Sequence, residues 1–131
     1  MSSRPLFKPQ SVITNGNMAS ATLTSLVTII QNLSMVSYGC SWAGSTPIGV
    51  ITVEVSNDYS QFADGSVNNA GHWKALTFEV DGVLTDELDV TGNAGVGFID
   101  IDQCAAYAIR LKYTKTSGTG TLNVTMNGKV S

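Results

Sequence analysis

Charged side chains make up only 13% of this chain, about half the roughly 25% usual in globular proteins. The few Lys and Arg residues stand singly along the sequence. No basic stripe exists to neutralise phosphates, so nucleic acid is not an expected partner. His72 is the only histidine, which leaves no base and nucleophile set for covalent catalysis. Cys40 and Cys104 lack CxxC spacing; they are too few for a disulfide framework and, with His72, too dispersed for a zinc site. They read as buried thiols behaving as small apolar residues. No apolar run approaches the roughly 18 residues of a membrane span. The longest candidate, "LTSLVTIIQNL", is interrupted by Thr, Ser and Gln, so no membrane partner is expected. The opening "MSSRPLFKPQ" has no hydrophobic signal core, and the expectation is a protein made and used on the cytosolic side.

Ser, Thr, Asn and 13 glycines fill the surface that charge does not, a composition suited to a turn-rich β protein. With 131 residues the chain has the length of one domain with one core. Residues 1–10 hold two prolines and no periodicity, and read as an extended arm before a single domain at 11–131.

From Ser11 onward the hydrophobic period is two. "MVSYGCSW" puts Val36, Tyr38, Cys40 and Trp42 on one face; "GVITVEVS" does the same with Ile51, Val53 and Val55. "KALTFEV", "YAIRLKYT" and "TLNVTMN" continue the alternation through Phe78, Leu111 and Val124. Asn15-Gly16 and Asp81-Gly82 are hairpin-type turn pairs, and "SGTG" is expected to close a last hairpin. "ATLTSLVTIIQNL" carries a helical stripe through Leu23, Leu26, Val27, Ile30 and Leu33, but its β-branched residues favour strand. The fold class is therefore all-β, an antiparallel β-sandwich of about eight strands, jelly-roll-like.

No constellation of catalytic or metal-binding residues emerges. Asp58 and Asp64, and Asp100 and Asp102, miss calcium-loop spacing; Asp86, Glu87 and Asp89 read as a charged turn. "GNAGVG" and "GSTPIG" lack the order and the following helix of nucleotide-binding loops and read as turns. No enzymatic activity, cofactor or metal is expected.

What stands out is the polar segment from Ser56 to His72, longer than a compact domain ordinarily leaves without structure. The partner-binding candidates are Phe7 in the arm and Tyr59, Phe62, Asn68, Asn69, His72 and Trp73 in and just after this loop. Aromatic side chains there would anchor a protein partner or stack on a sugar; Trp42, inside a strand, reads as core.

"ITNGNMAS", "SWAGSTPIGVITVEVSNDY", "NNAGHWKALTF" and "AYAIRLKYTKTSGTGTLNVTMNGK" together resemble a family of small β-sandwich structural proteins of tailed bacteriophages. The likeness spans about Ser11 to Lys129. It is carried by Trp42, Gly44, Pro47, Gly49, Val53, Val55 and Ser56–Asp58, by Trp73, and by Arg110 to Leu122. The resemblance implies a virion component, a capsid decoration or cement protein that binds the major capsid protein and forms a homo-oligomer. It supplies no catalytic residues. The alternatives are a glycan- or host-receptor-binding module and a tail or head-tail joining protein.

Overall fold

The computed structural model describes residues 9–31, 33–102 and 105–129. Phe7, Asn32 and Cys104 lie outside them. The described residues form twelve strands: β1 (Gln10–Asn17), β2 (Thr22–Thr24), β3 (Thr28–Ile29), β4 (Met35–Ser56), β5 (Ser60–Gln61), β6 (Val67–Asn69), β7 (Lys74–Leu76), β8 (Phe78–Val80), β9 (Val83–Thr85), β10 (Leu88–Val90), β11 (Ala94–Asp102) and β12 (Ala108–Lys129). All pairings are antiparallel. No helix among the described residues is long and apolar enough to cross a membrane.

β4 and β12, each 22 residues long, pair with each other along their whole length, Met35 opposite Lys129 and Ser56 opposite Ala108. Their first and second halves have different outer neighbours. Residues 35–43 of β4 pair with β11, which leads on to β8 and β9, and residues 121–126 of β12 pair with β1. Beyond the middle of the ladder, β4 pairs with β10 and β7, and β12 with β2 and β3.

The ladder folds over on itself. Gly97 sits opposite Cys40 and Leu88 opposite Ile51. On a straight strand those β4 positions would lie about 36 Å apart, yet a Cβ on Gly97 would meet Leu88 Cδ2 at 2.7 Å. Gly16 and Leu23 repeat the test: they pair with Leu122 and Tyr113 of β12, and Leu23 Cδ1 is 3.0 Å from the place of a Gly16 Cβ. Two layers therefore face each other, joined by strands that pass from one to the other through bends.

The bend is made by residues the period-two pattern skips. Register shifts fall between Lys115 and Thr119, opposite Ser45–Ile48. Thr46 and Gly118 both have positive φ, 46° and 82°, and Pro47, which has no N–H to donate, sits in the irregular stretch. Asn93 straps the corner: its carbonyl accepts the Gly44 N–H at 2.8 Å and its Oδ1 accepts the Thr46 N–H at 3.0 Å. The two glycine-rich segments, "GSTPIG" and "GNAGVG", thus meet at one corner.

Three sequence expectations change. "SGTG" does not close a hairpin; it is the bend within β12. Asn15, with φ 51°, lies in a bulged stretch of β1 that continues its pairing with β12 instead of turning. Twelve strands replace about eight, because "KALTFEV" splits at Thr77, β7 joining one layer and β8 the other, and because the loop after Ser56 contains strands of its own. Asp81-Gly82 does form a two-residue turn, with both φ positive, between β8 and β9. "ATLTSLVTIIQNL" is extended, contributing β2 and β3.

One core lies between the layers. Tyr38, Cys40 and Trp42 from β4, Ile99 from β11, and Leu111, Tyr113, Leu122 and Val124 from β12 are buried in a single cluster. Burial pushes the Cys40 thiol up to about 12, which makes it a packing group rather than a nucleophile. Trp42 is core, as the alternation predicts, with its indole N–H given to the Thr91 carbonyl at 3.1 Å.

Ser25 fills the gap between β2 and β3. Its backbone N–H reaches the Leu111 carbonyl, and its hydroxyl oxygen accepts the Leu111 N–H, both at 2.8 Å. Ser25→Ala leaves that buried N–H unpaired, a cost of about 1–3 kcal/mol. Chemical denaturation should show this as a lower midpoint at unchanged slope.

Candidate functional site

The segment from Ser56 to Trp73 is a closed, braced unit. β4 ends at Ser56 and β7 returns alongside it, Lys74 opposite Val55. Between them Ser60–Gln61 pairs with Val67–Asn69 as a small two-stranded sheet. Its turn is tied by the Phe62 N–H to the Ser66 carbonyl at 2.8 Å and by Asp64 Oδ1, which accepts the Ser66 N–H and hydroxyl. The long polar loop is a hairpin on a stalk.

Asp58 organises the stalk. Its Oδ1 accepts the His72 N–H at 2.7 Å and the Ser56 hydroxyl at 2.9 Å, while Oδ2 lies 2.6 Å from His72 Nδ1. The buried Ser56 oxygen in turn accepts the Tyr59 N–H at 3.2 Å. Asn57 faces the other way and accepts the Tyr107 N–H at 3.0 Å, fastening the stalk to the start of β12.

The hydrogen bond from His72, and then those from its backbone and from Ser56, hold the Asp58 carboxyl well below its ordinary range. The same hydrogen bond, reinforced by the carboxylate's charge, raises His72 above its ordinary 6.5. The signs define a window. Asp58 contributes fully above its ordinary 3.8 and loses its contribution as pH falls through its lowered value. His72 contributes fully below 6.5 and loses its contribution as pH rises through its raised value. The brace is therefore complete in the acidic range between those limits. Because the His72 side chain is 97% exposed, solvent screens the pair and the effect is local to the loop. An NMR titration should place the His72 midpoint above 6.5, and Asp58→Asn should return it to the ordinary value; an unshifted midpoint in the wild-type chain would contradict the brace.

Trp73 forms the second half of the stalk. Its ring centroid is 5.6 Å from that of Tyr59, tilted by 58°, and the Arg110 guanidinium lies 4.1 Å over it. Arg110 is directly opposite Glu54 on the β12–β4 ladder and donates from Nε to Glu54 Oε1 at 2.8 Å, both half-buried. The Trp73 indole N–H reaches back to the Ala70 carbonyl at 2.8 Å. A continuous line of contacts thus runs from the sheet through Glu54, Arg110 and Trp73 to Tyr59.

This geometry sorts the loop candidates. Tyr59 is 6% exposed and donates nothing to a contact surface; its hydroxyl accepts from Gln61 Nε2 at 2.8 Å, and it supports the hairpin from below. Trp73 is half-buried and engaged by its neighbours. Phe62, 56% exposed, is presented at the tip, Asn68 and Asn69 are exposed on the returning strand β6 with Asn69 opposite Ser60, and His72 lies exposed at the base. Val67, 54% exposed, joins Phe62 near the tip and was not singled out from sequence, where it is one apolar residue inside a polar loop. Asp58 and Arg110 were likewise missed as members of the site, since their partners come from across the loop and across the sheet. No group of three or more His, Cys, Asp or Glu among the described residues is placed to hold a metal ion.

With fold and loop in place, comparison with known proteins adds one fact. The architecture recurs in a prophage protein. A crystal structure of the SPBc2 prophage-derived protein YomS matches with a TM-score of 0.64 over 98% of each chain. The two sequences are 11% identical, so the likeness is one of fold. No family model and no curated protein matches this sequence.

Proposed function

We propose that this chain is a non-enzymatic structural protein of a tailed-phage virion, a decoration or cement protein that docks on the major capsid protein through the hairpin tip above Trp73. The observation that carries the proposal is the end-to-end likeness of fold to YomS, a prophage-derived protein. The resemblance of its motifs to those of phage β-sandwich proteins is in keeping with this reading. The braced loop supplies a contact element: a stalk that fixes the hairpin leaves less freedom to lose on binding, and Phe62 and Val67 are exposed apolar side chains at its tip. A surface poor in charge costs little to desolvate in a protein contact. A homo-oligomer bound to a repeated shell is the assembly this role requires.

The sugar-binding reading loses its platform. Stacking on a glycan needs an open aromatic face, and of Tyr59, Phe62 and Trp73 only Phe62 is left well exposed.

The test is co-sedimentation with shells of the major capsid protein that lack this chain. Replacing Phe62 and Val67 by Ser should weaken shell binding about tenfold or more while leaving the circular dichroism spectrum unchanged. Wild-type binding by that variant, and by a variant with the hairpin from Ser60 to Asn69 shortened to a turn, would rule the loop out as the contact.

A further inference from the structure

β11 carries a run of main-chain groups that the fold does not use. On one side it pairs with β4 in unbroken register, from Ala94 opposite Ala43 to Asp102 opposite Met35. On the other side β8 meets it at Asp100, opposite Glu79, and then leaves through the turn at Asp81 and Gly82. No described strand pairs with that side from Ala94 to Phe98. The ladder also sets where the backbone groups point. The Gly44 N–H goes to the Asn93 carbonyl, so the main-chain groups of Asn93 face β4, and in an antiparallel ladder every second residue repeats this. Gly95, Gly97 and Ile99 therefore face β4 as well. Ala94, Val96, Phe98 and Asp100 turn their N–H and C=O the other way, Asp100 toward Glu79 and the rest toward the open side.

We propose that this open edge takes up an extended segment of a partner protein as an added strand, apolar at alternate residues and basic at the end beside Asp100. Strand edges are ordinarily guarded by short length, bulges, proline or charge. β1, the opposite edge of the same layer, shifts register twice between Ser11 and Gly16, and β9 is three residues long. "AGVGF" at 94–98 is regular and has no charge or proline. Its side chains suit an added strand. Val96 and Phe98 are 68% and 60% exposed, and the Phe98 ring lies over Gly39, 3.2 Å from the place of a Cβ there. The ring thus leans toward β4 and leaves its own edge uncovered, so apolar residues of an incoming strand pack beside it. Charge sets the orientation. Glu79, Asp81, Asp100 and Asp102 gather at the β8 end, whereas Gly92 and Asn93 at the other end carry none, so complementary cations belong beside Asp100. A second copy of β11 does not fit: antiparallel pairing about Val96 sets Asn93 of one chain opposite Ile99 of the other, where Val80 already stands. The site is separate from the hairpin after Ser56, and its test does not depend on the capsid reading.

The probe is the peptide acetyl-Lys-Lys-Thr-Val-Thr-Val-Thr-amide, whose lysines fall beside Asp100 on antiparallel addition, titrated to millimolar concentration into the isotope-labelled full chain and followed by NMR. The expected result is a shift and slowed hydrogen exchange at the Val96 and Phe98 amides but not at Gly95 and Gly97, whose N–H groups already serve β4. Val96→Pro removes an N–H that the ladder does not use, and Val96→Lys puts a charge on the edge; each should weaken binding about tenfold or more, as should Glu-Glu in place of Lys-Lys in the peptide. No change at Val96 and Phe98, changes confined to other residues, equal binding of the two peptides, or undiminished binding by Val96→Lys overturns the proposal. Slow exchange at Val96 and Phe98 before peptide is added overturns it too: a second copy holds the edge if the protection fades on dilution, and the chain's own residues cover it if it does not.

Discussion

Gly118→Val is expected to destabilise the fold severely, whereas Gly82→Val, at nearly the same backbone angle, costs far less. Both glycines have φ near +80°, 82° and 79°, a region that β-branched residues avoid at a cost of about 1–3 kcal/mol. Their surroundings differ. A Cβ on Gly82 meets nothing within 4 Å, but on Gly118 it runs into the Thr46 carbonyl and lies 2.9 Å from Pro47 Cα. Those are backbone atoms of the opposing strand at the layer-to-layer bend, held in place by Asn93, so no side-chain rotation relieves the clash. The total for Gly118→Val is on the order of 4 kcal/mol or more, a large part of a domain's stability. Denaturant midpoints of the two variants separate the steric contribution from the shared conformational one. Similar midpoints would show that the bend is soft and that the account of the corner is wrong.

Trp73→Ala carries the second large effect, and it falls on function as well as stability. The ring is the middle of the line from Glu54 through Arg110 to Tyr59. Its loss removes the apolar cover of Tyr59 and the cation–π contact of Arg110, together about 2–4 kcal/mol for a half-buried Trp. The sheet survives, because Tyr38, Leu111 and Val124 lie in a core that Trp73 does not enter. The hairpin loses its support and must pay the entropy of ordering on contact, so shell binding should fall at least tenfold. Trp73→Phe, which keeps an aromatic ring beside Tyr59 and Arg110, should recover most of that binding. Loss of binding without recovery by Phe would mean that the indole itself touches the partner.

The alternation of Val36, Tyr38, Cys40 and Trp42, and of Ile109, Leu111 and Tyr113, is enough to assign an all-β fold and most of its core, because burial on one face of a strand leaves a local period. The bend is not legible in the same way. "GSTPIG" and "SGTG" carry turn chemistry, and the difference between a chain that reverses and one that bends while staying in its ladder is decided by the opposite strand and by Asn93, residues far away in sequence. The loop follows the same division. Its length and the Tyr59, Phe62 and Trp73 aromatics mark it, but burial of Tyr59 depends on Ser56, Asp58 and His72 closing the stalk, and Arg110 reaches Trp73 only because β12 pairs with β4. Val67 is one apolar residue in a polar segment until its pairing with Gln61 places it on the hairpin close to Phe62.

Copy-number mass spectrometry of purified virions, separated into heads and tails, tests the proposed role most directly. The account predicts hundreds of copies per particle in the head fraction, in fixed ratio to the major capsid protein. A few copies per particle, or enrichment in tails, would contradict it.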